Sequence, residues 1–184
     1  MNLLGVSGSL RAASYNTALL RAAQALAPEG VDLIEGSIRD IPLYDGDLEA
    51  RDGLPAAVTR LKDQIAACDG LILFTPEYNN GVPGVFKNAI DWLSRPASDI
   101  GRVFGGRPVA VLGASPGGFG TILSQTAWLP VLRTLGTAPW CEGRLMVARA
   151  GSVFDAEGVL IDEEIKKRLE GFVAGFAQHC RTRG

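Results

Sequence analysis

Short apolar runs alternate along the chain with longer stretches in which apolar residues recur every three or four positions. The runs Leu3–Ser7, Val31–Glu35, Gly70–Thr75, Val109–Ala114 and Leu145–Ala148 read as strands. Each is followed by an amphipathic stretch that reads as a helix: 15–27, 54–67, 83–94, 120–135 and 162–181. Five strand-then-helix units predict a parallel α/β sheet, because a parallel crossover needs a helix to carry the chain back. In the last helix Ile165, Leu169, Phe172 and Phe176 form one apolar stripe. Asp162, Glu163 and Glu164 stand at its start, where the helix dipole favours negative charge. The Pro- and Gly-rich stretches 42–55 and 95–108 read as loops, and Pro130 is expected to kink or shorten the fourth helix. With no repeat or linker visible, residues 1–184 are expected to form a single domain.

Right-handed crossovers make 2-1-3-4-5 the economical strand order, a flavodoxin-like five-stranded parallel sheet with helices on both faces. Ligands then bind beyond the carboxyl ends of strands 1 and 3, where the winding reverses. Three loops are expected to meet there: 8–16, 76–83 and 115–120.

The first loop, Gly8-Ser9-Leu10-Arg11-Ala12-Ala13-Ser14-Tyr15-Asn16, joins a strand to a helix N-terminus. It offers backbone N–H groups, the hydroxyls of Ser9 and Ser14, the Asn16 amide and the forked guanidinium of Arg11, a donor set suited to a terminal phosphate monoester. A Ser/Asn-capped turn without a ligand fits the segment equally well. The loop lacks the GK[ST] ending of a nucleotide triphosphatase, and no lysine precedes Lys62. Nor do Gly5 and Gly8 give the GxGxxG spacing of a dinucleotide fingerprint. A pyrophosphate ligand is therefore disfavoured.

In the second loop, Pro76-Glu77-Tyr78-Asn79-Asn80-Gly81-Val82-Pro83, a rigid proline, an aromatic ring and several amides suit a flat heteroaromatic ligand that needs face contact and edge hydrogen bonds. Glu77 has no carboxylate partner in the sequence that would make it a catalytic acid, so its backbone matters more than its charge. The third loop, Ser115-Pro116-Gly117-Gly118-Phe119-Gly120, either lets main chain approach a ligand edge or is simply a flexible connection.

Composition narrows the partners. A net charge of −2 does not attract nucleic acid or an anionic membrane surface, and no stretch is apolar for long enough to span a bilayer. With no basic leader segment in view, a cytoplasmic location is expected. Cys68, Cys141 and Cys180 form no CxxC pair, so neither a zinc site nor a dithiol centre is expected. His179 is the sole histidine and stands near the end of the last helix, where it complements the dipole. A His-dependent triad is thereby excluded, although Gly5-Val6-Ser7-Gly8-Ser9 superficially looks like a nucleophile elbow. Ser9 stands where that motif needs its second glycine.

Together, GSLRAASYN, PEYNNGVPGVFKNAIDWLSR and ASPGGFG resemble the NAD(P)H-dependent FMN reductase family, with its quinone-, azo- and chromate-reducing members, over nearly the whole chain. The resemblance implies a flavodoxin-like fold, non-covalent FMN and NAD(P)H as co-substrate. It also implies a small acceptor such as a quinone, an azo or nitro compound or an oxidised metal ion. By the same resemblance Ser9, Arg11, Ser14, Tyr15 and Asn16 form the phosphate site. Pro76, Glu77, Tyr78 and Asn79 line the isoalloxazine, with Ser115, Gly117 and Gly118 nearby, and Lys87–Trp92 takes structural and subunit-contact roles. A homodimer is expected, with a tetramer left open. Some tetrameric members carry an aromatic where Asn80 stands, and an Arg- and Tyr-containing helix where this chain has Ile122–Pro130. Two other functions share the sheet. An electron carrier would carry a strongly acidic face, and a phosphoacceptor domain would need acids where this chain has Ser-Gly-Ser and Thr-Pro-Glu.

Overall fold

The computed structural model describes residues 1–182. Strands β1 (Asn2–Ser7), β2 (Asp32–Gly36), β3 (Gly70–Phe74) and β4 (Pro108–Ala114) lie parallel in the order β2-β1-β3-β4. β1, β3 and β4 are nearly continuous apolar runs because both faces of the sheet are covered there, whereas the edge strand β2 exposes Asp32, Ile34 and Glu35. Leu3, Ile72, Phe74, Ala110 and Leu112 face helices α1 (Tyr15–Ala25) and α7 (Glu163–Arg181). On the other face, Leu4, Val6, Leu71, Leu73 and Val109 meet α3 (Ala56–Ala67), α4 (Gly84–Leu93) and α6 (Ile122–Thr134). The stripe expected on α7 is buried, and Asp162 caps that helix by accepting from the Ile165 N–H at 2.9 Å.

The fifth sheet position departs from expectation. Instead of one strand at 145–148, two two-residue strands share the free edge of β4: β5 (Ala138–Pro139) beside Pro108 and Val109, and β6 (Met146–Val147) beside Gly113 and Ala114. The sheet therefore has six strands, ordered β2-β1-β3-β4-β5 with β6 also on β4. Trp140 still donates its N–H to the Val109 carbonyl at 2.8 Å and Leu145 accepts from Gly113; between them residues 141–144 leave the ladder, and Trp140 packs on Phe172 and Phe176 of α7, with ring centroids 5.1 and 5.6 Å away.

The stretch 42–55 is not wholly loop, since it contains α2 (Gly46–Asp52). Asp45 caps it by accepting from the Asp47 N–H, acids occupy its first turn, and Gly53 ends it at φ 75°. Stretch 95–108 likewise holds a 3-10 turn (Ala97–Asp99) and the one-turn helix α5 (Ile100–Val103). Here the fully buried Lys62 ammonium meets Asp99 at 2.8 Å and also donates to the Arg95 carbonyl. Asp99, paired with Arg102 and Lys62, is held far below the usual carboxylate range. α6 is not shortened at Pro130 but runs on to Thr134. Among the described residues no helix is long and apolar enough to cross a membrane.

On α4, Asn88 and Trp92 pin the preceding strap. Asn88 donates to the Pro42 carbonyl at 2.8 Å and accepts from the Tyr44 N–H at 2.8 Å, while the Trp92 indole donates to Pro42 at 2.9 Å. Gly8 and Gly113 are fixed by contact: a Cβ at Gly8 would lie 2.2 Å from the Phe86 ring, and one at Gly113 would lie 2.0 Å from the Thr75 carbonyl oxygen. Both lie at the carboxyl edge of the sheet, where strand ends and loops are most crowded.

Candidate functional site

Loops 8–16, 75–83 and 115–121 leave the carboxyl ends of β1, β3 and β4, which are adjacent or next-adjacent strands. They therefore form one continuous edge. Ser14 caps α1, its hydroxyl accepting from the Thr17 N–H at 3.3 Å, so its own O–H remains available. Ser9 Oγ accepts from the Arg11 N–H at 3.3 Å and likewise keeps its proton free. The N–H groups of Ala13, Ser14, Tyr15 and Asn16 have no protein acceptor among the described residues, and the first turn of α1 carries no acid. Arg11 makes no ion pair among the described residues and lies over the Tyr15 ring at 5.7 Å, and that ring stacks on Phe154 at 5.9 Å. Free donors, a helix N-terminus and an uncommitted guanidinium together fit a phosphate monoester.

Asn16 takes a different part from the one its sequence position implies. Its side chain is buried, donating to the Ala114 carbonyl at 2.9 Å and accepting from the Ala114 N–H at 2.9 Å. The amide mimics a peptide group and continues the ladder of β4 one step beyond the end of β3. Only the backbone N–H of Asn16 remains for a ligand.

Loop 75–83 folds as a miniature hairpin. Tyr78 and Gly81 exchange two backbone hydrogen bonds, 3.3 and 3.1 Å, and Asn79 and Asn80 both adopt positive φ, 49° and 62°, the signature of a type I′ turn. Asparagine tolerates that conformation better than other side chains with a Cβ. Tyr78 is half-exposed and Pro76 buried. Glu77 does not face the open edge as an acid: its Oε2 accepts from the N–H groups of Leu123 and Ser124 at 2.9 and 3.0 Å. It caps α6 from across the site, a task left open by Thr121, which starts that helix at φ 53° without a side-chain cap bond.

Beneath the hairpin lies a buried hub that escaped sequence reading. Trp128 Nε1 donates to Thr75 Oγ1 at 3.0 Å, and Thr75 donates to the Pro76 carbonyl at 2.9 Å. The remaining bond, 2.8 Å between Thr75 and Ser124, must therefore run from the Ser124 hydroxyl to Thr75. The one available signal was a threonine ending an otherwise apolar strand.

In loop 115–121, Ser115 is joined through its backbone to Val147 and Ala150, at 3.0 Å in each case, and Gly117 accepts from the Arg149 N–H at 2.9 Å. Its side chain is free. Gly118 is exposed with open space around it, and Phe119 stands largely in solvent. Arg39, which carried no sequence signal, reaches back from beyond β2 and donates to the Leu10 carbonyl at 3.0 Å.

Residues 1–151 match the family described as NADPH-dependent FMN reductase. An NAD(P)H-dependent FMN reductase of Pseudomonas aeruginosa is 43% identical over 170 residues, covering 92% of this chain and 90% of the relative. A 2-hydroxy-1,4-benzoquinone reductase of a Burkholderia species is 36% identical over 178 residues, covering 97% of this chain and 95% of the relative. Among solved structures, the flavoenzyme NAD(P)H:(acceptor) oxidoreductase FerB of Paracoccus denitrificans superposes with a TM-score of 0.88 at 36% identity, covering 100% of this chain and 98% of that one.

Because Glu77 acts here as a helix cap, Glu77→Ala should lower stability by about 1–2 kcal/mol. Glu77→Gln, which keeps an acceptor oxygen, should lose less than half as much. Urea unfolding of the two variants checks this; equal losses would contradict the cap.

Proposed function

The chain belongs to the NADPH-dependent FMN reductase family, and from that premise we propose that loops 8–16, 76–83 and 115–120 together hold its FMN. The protein is an FMN-dependent NAD(P)H oxidoreductase that passes reducing equivalents to an acceptor. The observation that carries the site assignment is the unspent donor set at the start of α1, with Arg11 beside it and no acid in that helix's first turn, Asp155 and Glu157 standing on the far wall of the adjoining pocket. Ser9, Arg11 and Ser14 hold the phosphate with the N–H groups of Tyr15 and Asn16, and the Tyr15 ring backs Arg11. Pro76, Tyr78 and Asn79 line the isoalloxazine together with the backbone of Glu77, while Ser115, Gly117 and Gly118 lie along its edge.

When bound, FMN supplies the hydride chemistry, taking two electrons from NAD(P)H and giving them to the acceptor. The protein's share is position. Turn 78–81, held by its own two backbone bonds and footed on the Thr75 hub, gives the ring a wall that does not move. Exposed Gly117 and Gly118 leave room for coenzyme and acceptor to use the same opening in turn. A quinone is the acceptor best supported, through the relatives' activities; azo and nitro compounds and oxidised metal ions share its need for electrons at an open face. Three unpaired thiols suit a reducing, cytoplasmic setting.

A homodimer with the flavin near the subunit boundary belongs to the same reading. Phe119, Ile122, Leu123 and Leu129 expose apolar surface beside the site that a second copy would cover. Light scattering should then give twice the chain mass, and a monomer at working concentration would contradict the dimer.

The activity itself is tested by adding NADPH anaerobically to the FMN-loaded protein. The yellow colour should bleach without any second protein and return on addition of benzoquinone. Bleaching that required a separate reductase would make the protein an electron carrier instead.

A further inference from the structure

On the β2 side of loop 8–16, away from the loops assigned to the flavin ring, lies a polar pocket of about 240 Å³. Three guanidiniums line it, those of Arg11, Arg21 and Arg39, with the hydroxyls of Ser7, Ser9, Thr17 and Ser37 and a single carboxylate, Glu35; Ser9 and Arg11 are shared with the site proposed for the flavin phosphate. These residues come from three places in the sequence: the end of β1 with the loop after it, the second turn of α1 and the end of β2. Charge alone marks the pocket out in a chain whose net charge is −2.

The three arginines are also unspent. Arg51, Arg95 and Arg102 each pair with a carboxylate, whereas Arg11, Arg21 and Arg39 make no ion pair among the described residues. Arg39 uses one nitrogen to hold the Leu10 carbonyl and so is fixed with its remaining donors free. The Arg21 side chain makes no hydrogen bond among the described residues. Holding three like charges around one hollow is unfavourable unless an anion joins them.

With the FMN phosphate at the start of α1, as proposed above, Ser9 and Arg11 stand between it and the pocket, and Arg21, Arg39 and Ser37 on the β2 side are left for a second anion. Resting on the reductase reading above, we infer that the pocket formed by Arg21, Arg39 and Ser37 receives the 2′-phosphate of NADPH and so favours NADPH over NADH. Here two arginines outnumber the one acid. From β2 to β4 is three strand spacings, about 14 Å, a span suited to an extended dinucleotide with its nicotinamide at the flavin and its adenosine phosphate beyond loop 8–16.

The test uses FMN-loaded protein, wild type and the variants Arg21→Ala and Arg39→Ala. By calorimetry, wild type should bind adenosine 2′,5′-bisphosphate at least tenfold more tightly than 5′-AMP, and Arg21→Ala should abolish most of that difference, since each lost charge-assisted contact is worth about tenfold or more. In steady-state assays kcat/KM for NADPH should fall about tenfold relative to that for NADH in either variant, while the FMN affinity of Arg21→Ala, which leaves the Arg39 bond to loop 8–16 intact, stays within twofold by fluorescence titration. Equal binding of the two nucleotides by wild type, or equal loss for both coenzymes, would overturn the assignment. A tenfold loss of FMN affinity in Arg21→Ala would overturn it too, by giving that arginine to the flavin phosphate. If wild type oxidised neither coenzyme, the reductase reading would fail, and the nucleotide titration would still decide the pocket.

Discussion

Two hydrogen bonds from one buried side chain hold the site edge together. The Asn16 amide closes on the N–H and the carbonyl of Ala114, 98 residues away, at 2.9 Å each. Both Ala114 groups lie beyond the reach of β3, whose chain turns away at Pro76, and a proline has no N–H to offer them. Left unpaired in the interior, each would cost about 1–3 kcal/mol. Asn16 thus satisfies β4 and at the same time fixes where α1 begins. Since the free N–H groups and the Ser14 cap are the first turn of that helix, the direction in which they point is set by this bond pair.

The other two loops are locked by the same economy of buried polar groups. Thr75 spends its single proton on Pro76 and accepts from Trp128 and Ser124, which ties the foot of the 76–83 hairpin to α6. Glu77 then caps α6 from that hairpin. Helix α6 follows directly from loop 115–121, so the second and third loops cannot shift independently. The result is two interlocked loops whose acid, Glu77, is committed to a helix cap, in keeping with chemistry carried by a cofactor rather than by a side-chain acid.

Much of this could be read before the structure. Apolar runs located β1 to β4, the 3.6-residue stripes located α1, α3, α4, α6 and α7, and the strand order placed three loops on one edge. What could not be read was decided by distant partners. The strand expected at 145–148 is there as the short β6, but the two-residue β5 at 138–139 joins the same edge just before Trp140 packs on α7, with no apolar run to announce it. Helix α2 hid in a stretch dominated by Pro and Gly, although Asp45, Asp47 and Gly53 carried a cap signal that composition masked. In the site, residue types were legible but their assignments were not. Asn16 has the chemistry of a phosphate ligand and Glu77 that of an acid, yet each side chain is taken by backbone groups of another element. Arg21 and Arg39 converge with Arg11 only through the fold, so the basic pocket has no linear motif.

The central claim is that three loops act as one FMN cradle, anchored at the start of α1. Amide hydrogen exchange with and without FMN tests it most directly, because the ligand-facing groups are backbone N–H. The account predicts that FMN slows exchange together in residues 12–16, 77–80 and 117–120, with little change along β2 or α7. Protection confined to one loop, or arising elsewhere in the chain, would contradict it.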